Sequence, residues 1–167
     1  MRLTEEEKQI FEDILRDYLS DEKVQKMKEF SQHGTVTTYH HCYAVALMAL
    51  WINRRWKLGA REEILLPGAL MHDMFLYDWH TIGKRNPHHA VNHATLAGRN
   101  AVRYLKVSDE VHDVIYCHMW PVNITRVPKN REGWIVCMAD KWVSLRETVT
   151  MRKGMRSLRE ELAQKRK

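Results

Sequence analysis

Six side chains able to bind a metal recur along this chain of 167 residues, in the order His41, His72 with Asp73, His93, His118 and Asp140. All but one sit in segments that read as helix, on faces that are otherwise apolar. An imidazole or carboxylate on such a face costs free energy unless something binds it. The economical explanation is a metal pair in the core of a helical domain. Imidazole and carboxylate together suit divalent transition metals, and four histidines with two aspartates are too rich in nitrogen for a site built for Mg²⁺ or Ca²⁺. One or two ions of Mn, Fe, Co, Ni or Zn are therefore the expected cofactors.

An adjacent His-Asp pair such as His72-Asp73 offers two ligands to one ion, and an aspartate can reach a second ion with its other oxygen. Two ions about 3.5–4 Å apart polarise a phosphoryl oxygen and lower the pKa of a bridging water towards neutrality. Hydrolysis of a phosphate ester is the reaction this apparatus suits best. It also needs a phosphate clamp and a proton donor. Lys84 and Arg85 in the irregular stretch 76–92, and Arg126 and Arg131 in the stretch 122–131, adjoin ligand-bearing segments and are the candidate substrate-binding residues. The alternative for each is a solvated loop charge. Asp78, five residues past Asp73, is the candidate catalytic acid or base, with His80 and His89 behind it. His89 also precedes His93 by one helical turn and can bind substrate or support its neighbour. Trp79 and Trp120 either wall the pocket or belong to the core.

The elements that must position these residues read as helix nearly throughout. A capping box of Thr4 with Glu7 opens a first helix that runs to about Leu19. A short one follows from Asp21 to Phe30, broken by residues 31–34. A long helix from about Thr37 to Leu58 carries His41, Val45, Met48 and Ile52 on one stripe and stops at Gly59. Arg61 to Phe75 is helix-like, with Pro67 and Gly68 expected to break or kink it. After the irregular stretch comes a helix from His93 to Leu105. Ser108 then caps one that aligns Val111, Val114, Ile115 and His118 and ends before Pro121. From Glu132 to Thr150 a strongly apolar helix carries Asp140 and is expected to bury Ile135, Val136, Ala139, Trp142, Val143 and Leu145. No strand is expected. The fold class is all-α, a compact single-domain bundle over residues 1–167. Its motif core spans about 37–150, flanked by helices in 4–30 and a basic helix at 152–167.

Hydrophobic residues make up 44% and charged residues 29% of the chain, which suits a soluble globular protein and excludes a disordered one. No apolar run approaches the roughly 18 residues of a membrane span, and the acidic amphipathic start is no signal peptide. The expected location is the cytoplasm, with no membrane partner. Cys42, Cys117 and Cys137 share no CxxC spacing, so each is expected as a reduced, buried thiol. The net charge of +6 is concentrated at the end, where seven Lys or Arg from Arg152 onward face only Glu160 and Glu161. That tail lacks aromatics to stack bases, so nucleic acid is not the expected partner. The positive excess suits a small phosphorylated substrate. Subunit count stays open, a homo-oligomer included.

Three segments in order, His41-Cys42-Tyr43-Ala44-Val45-Ala46, Leu70-Met71-His72-Asp73 and Ala139-Asp140-Lys141, resemble the HD superfamily of metal-dependent phosphohydrolases. The blocks MHDMFLYDWH, HHAVNHA, CHMWP and EGWIVCMADK are similar to those of a bacterial branch of it, and the likeness runs from about residue 40 to 147. The resemblance implies an HD-type helical bundle. It assigns His41, His72, Asp73 and Asp140 to one metal and adds His93 and His118 as ligands of a second. Asp73 becomes the bridge, and so part of the catalytic set. The lysine that often follows the HD block is absent, as is the Gly-Tyr-Pro signature of the cyclic dinucleotide phosphodiesterases. The implied enzyme is a phosphomonoesterase or phosphodiesterase acting on a small nucleotide or phosphorylated metabolite. One alternative is a metal-stabilised regulatory module that binds a phosphorylated ligand without turnover; another is a helical nucleic-acid binder driven by the basic tail.

Overall fold

The computed structural model describes residues 3–33, 35–77 and 89–164, apart from the side chains of 33, 89–91 and 153–164. Helix α1 (Glu5–Ser20) opens on Thr4, whose side chain accepts from the Glu7 amide while Glu7 accepts from the Thr4 amide. The four amide groups at a helix start lack partners within the helix, and this exchange satisfies part of that need. Phe11 and Leu15 of α1 are buried. The expected second helix is realised as α2 (Glu22–Lys26) followed by a 3-10 turn over Met27–Glu29. Beyond it, where the sequence suggested only a break, stands an antiparallel hairpin of β1 (Ser31–His33) and β2 (Val36–Thr37), with Ser31 opposite Thr37 and His33 opposite Val36. Strands of two and three residues are too short to show alternation.

Helix α3 (Thr38–Arg55) is the central element. Its N-cap Thr37 accepts from the His40 amide, and His41, Val45, Met48 and Ile52 are all buried on the expected stripe. Cys42, Ala46, Ala49 and Leu50 are buried as well, because α3 lies between α4 (Glu62–Met71) and α7 (Arg131–Gln164). Every α4 residue from Ile64 to Met71 is buried, as befits a helix apolar on all sides. The expected break at Pro67 and Gly68 does not occur, and α4 runs unbroken through both. Proline forfeits one helical hydrogen bond. Gly68 serves close approach instead: a Cβ there would lie 2.6 Å from Val114 Cγ1. That contact seats α4 against α6 (Asp109–Cys117), which Ser108 caps by accepting from the Val111 amide. Helix α5 (His89–Leu105) packs on α6 and begins one turn before the expected His93.

Two further expectations need correction. Helix α7 is one continuous helix of 34 residues, so no boundary separates 150 from the basic segment; its length is about 51 Å. Trp142 and Leu145 are not core residues, each being 59% exposed. The buried face of α7 is Ile135, Val136, Ala139 and Val143. The direction of this helix is set at its start. Arg131 Nη1 donates to the carbonyls of Leu58 (3.1 Å) and Gly59 (3.4 Å), and Glu132 accepts from the Arg61 amide at 2.8 Å. Asn53 clips the same loop through both its amide groups, to Ala60 O at 3.1 Å and Ala60 N at 2.9 Å. Because that loop joins α3 to α4, the three helices that bring His41, His72 and Asp140 are held in register at one end. The described residues thus form the all-α bundle, with no described helix long and apolar enough to cross a membrane.

Candidate metal centre

The six expected ligands reach one pocket from five places in the bundle. His41 lies one turn into α3. His72 and Asp73 form the turn that ends α4, where the Met74 amide donates to Met71 O and the Phe75 amide to Asp73 O. Leu76 then takes φ +58°, a left-handed conformation uncommon for a branched residue, as the chain turns away. Helix α5 brings His93, the C-cap of α6 brings His118, and α7 brings Asp140. The four histidines and Asp73 are buried, and the Asp140 side chain is 14% exposed.

Asp73 divides the pocket. Its Oδ2 lies 3.4 Å from His72 Nε2 and 4.0 Å from His41 Nε2. Its Oδ1 lies 3.2 Å from His93 Nε2 and 3.5 Å from His118 Nε2. On the first side Asp140 Oδ1 stands 3.3 Å from His41 Nε2 and 3.7 Å from His72 Nε2. On the second, the Nε2 atoms of His93 and His118 are 3.1 Å apart.

The opposite nitrogens explain why the Nε2 atoms converge. His72 Nδ1 donates to Ala69 O at 2.8 Å, and His118 Nδ1 donates to Ile115 O at 2.7 Å. A carbonyl only accepts, so each Nδ1 carries the hydrogen and Nε2 is the atom turned to the pocket. His41 Nδ1 is held the same way by the carboxylate of Glu147, at 3.0 Å. Such tethers fix tautomer and ring direction for a ligand on the far nitrogen.

The donor set fits a divalent ion. Bonds of about 2.0–2.2 Å to nitrogen and oxygen imply ligand-to-ligand edges of about 3.0–3.5 Å, close to most of the separations above. Three overlapping groups, His41–His72–Asp73, His72–His118–Asp140 and Asp73–His93–His118, each bring their ligand atoms within 4.8 Å of one another. Two of these atoms, His72 Nε2 and Asp73 Oδ1, are buried without a hydrogen-bond partner among the described residues. Polar atoms buried that way are costly, and a cation held between them would satisfy both.

The electrostatics carry the same imprint. Burial alone would raise Asp73, but the charges of His72 and His93 outweigh it and hold the carboxyl well below the usual range. Burial likewise opposes the facing imidazoles of His41 and His72, which prevail and keep Asp140 ionised. Burial and the positive charge of His72 push His118 down to about 3, so its ring is neutral. The pocket therefore sets ionised carboxylates among the imidazoles, with His41 and His72 carrying protons that a divalent cation would displace.

The other sequence candidates divide into those placed away from the six and those outside the described residues. Arg131 is committed to the α3–α4 loop and is not an anion clamp of this pocket. Arg126 lies 3.8 Å over the Tyr116 ring, in a separate cavity of about 190 Å³ with Asp113 and Thr125, lined by none of the six. Asp78, Trp79, His80, Lys84, Arg85 and the His89 side chain fall outside the described residues. Trp120 packs edge-on against Trp134, centroids 4.8 Å apart. The three cysteines are buried, free, and in none of the ligand groups.

Four residues that touch the pocket carry no site role in the sequence reading, although Lys141 stands in one of the matching blocks. Glu147 and Ser144, whose hydroxyl donates to Asp140 Oδ1 at 3.2 Å, follow Asp140 by seven and four residues on one face of α7. That spacing was a usable signal. Lys141 donates to His118 O at 3.0 Å and lies 3.9 Å from Asp140 Oδ2. Gln32, from the hairpin, donates to Asp73 Oδ2 at 2.6 Å, and nothing in its sequence context marks it.

No curated protein and no solved structure matches the chain. The family model for the HD domain matches residues 38–143, more than half of the chain and the stretch that holds all six residues. By that match and this geometry, the chain belongs to the HD-domain family of metal-dependent phosphohydrolase-type domains.

Proposed function

We propose that the protein hydrolyses a phosphate ester of a small nucleotide or phosphorylated metabolite in a metal-dependent reaction. The reading rests on one observation above others: the two oxygens of Asp73 each face their own pair of imidazoles. His41, His72, Asp140 and Asp73 Oδ2 would hold one ion, and Asp73 Oδ1, His93 and His118 a second. Divalent ions so held supply Lewis acidity towards a phosphoryl oxygen and a water nucleophile at neutral pH.

The chain's own residues do the rest. The Nδ1 tethers at Ala69, Ile115 and Glu147 keep three imidazoles aimed without reorganisation. The Lys141 ammonium, held at the pocket wall, adds positive charge that favours an anionic substrate. Asp78 and His89 are the proposed proton-transfer groups, since one follows Asp73 by five residues and the other precedes His93 by one turn. Lys84 and Arg85, between them in the chain, are the proposed phosphate clamp.

Protein purified without chelators, assayed against aryl phosphate mono- and diesters with Mn²⁺, Co²⁺ or Ni²⁺ added back, tests the reading. Turnover that Asp73→Ala abolishes together with bound metal is the expected result. Metal binding with no turnover of either ester class or of a nucleotide panel would replace the enzyme with a module that only binds a phosphorylated ligand.

A further inference from the structure

We infer that Gln32 is a positioning residue that sets the bridging orientation of Asp73. The inference rests on the metal reading of the pocket and assigns a role to a hairpin that carries none of the six expected ligands. A carboxylate turns easily about its last torsion. To offer one oxygen to His41 and His72 and the other to His93 and His118, Asp73 must be held at one angle. Gln32 is placed to hold it.

The Gln32 amide is fixed at both ends. A carboxylate only accepts, so the group 2.6 Å from Asp73 Oδ2 is the Nε2 amide, donating. Its oxygen therefore faces the other way, towards the Thr38 hydroxyl at 3.3 Å. Thr38 is 1% exposed and opens α3, three residues before His41. The strand that carries Gln32 is tied to the same helix start, because Ser31 pairs with Thr37 and the Thr38 amide donates to Phe30 O at 2.8 Å. The hairpin thus links the α3 terminus to the bridging carboxylate.

The two halves of the pocket should not respond equally to its loss. The half built from His41, His72 and Asp140 has three ligands besides Asp73. The half built from His93 and His118 has two. A carboxylate free to rotate costs the second half the larger share of its donors.

Cobalt(II) titration of metal-free protein, followed by visible absorption and elemental analysis, tests this alongside thermal unfolding of the metal-free forms. Gln32→Leu should lower affinity for the weaker ion by about 10–100-fold and alter the cobalt spectrum, with the metal-free melting temperature unchanged. Thr38→Val, which removes the hydroxyl that stands 3.3 Å from both the amide oxygen and Phe30 O, should move affinity and spectrum in the same direction by less. If both variants bind cobalt as wild type does and only the metal-free melting temperature falls, Gln32 is a hairpin anchor and the inference is wrong. A wild-type protein that takes up no cobalt overturns the metal reading and this inference with it.

Discussion

The carboxylate of Glu147 lies 3.0 Å from His41 Nδ1, while Asp140, two turns earlier on the same helix, lies 3.3 Å from His41 Nε2. One helix therefore clamps both nitrogens of one imidazole. Losing the outer carboxylate should loosen the ring without removing a ligand. Glu147→Ala should weaken metal affinity by about 10–100-fold, and Glu147→Gln, which keeps an acceptor for Nδ1–H, by less. Competition against a calibrated chelator measures both. Affinities equal to wild type would remove Glu147 from the site.

The same clamp gives the metal-free protein a defined pH response. Burial disfavours charge on His41, but hydrogen bonds to Asp140 and Glu147 outweigh it and raise its pKa from 6.5 to about 10. A raised folded value means that this stabilisation is complete below the unfolded value of 6.5 and drains away as pH climbs through about 10. The melting temperature of the metal-free protein should fall across that window. A metal must also displace the proton, so binding at about pH 8 should release at least one proton per chain, fading as pH rises further. Absence of proton release in weakly buffered dye solution would contradict this.

Gly68 tests how tightly α4 and α6 must approach to bring His72 and His118 together. An added Cβ would meet Val114 Cγ1 at 2.6 Å and Val114 Cβ at 3.0 Å. Valine in a helix has one strongly preferred rotamer and cannot step aside. Alanine gains about 1 kcal/mol of helix propensity over glycine, against an overpacking cost of about 1–3 kcal/mol. Gly68→Ala should be destabilised on balance, by about 1 kcal/mol, in denaturant unfolding. A more stable variant would show that α4 can shift without cost.

What could be read from sequence followed from periodicity. His41, Val45, Met48 and Ile52 repeat at helical spacing, and all four are buried on one side of α3. Thr4 with Glu7 and Ser108 announced their helices through capping chemistry. Pro67-Gly68 misled because local propensity was overridden by packing: a helix buried on every side tolerates one missing hydrogen bond, and the glycine was needed for contact with Val114. Trp142 and Leu145 differ from expectation because apolar type does not by itself imply burial, and their side of α7 faces outward. Arg131 lay near ligand-bearing segments in the chain, but its side chain is bound to loop carbonyls. Gln32 was out of reach because its partner lies 41 residues away and no spacing connects a hairpin to a helix end.

Anomalous diffraction from crystals grown with cobalt(II) and no chelator bears most directly on the ligand assignment. The expected result is a peak within about 2.0–2.2 Å of His41 Nε2, His72 Nε2, Asp140 and one Asp73 oxygen, with a second peak between the other Asp73 oxygen, His93 and His118. Peaks confined to outlying histidines such as His40 or His112, with none among these six side chains, would contradict it.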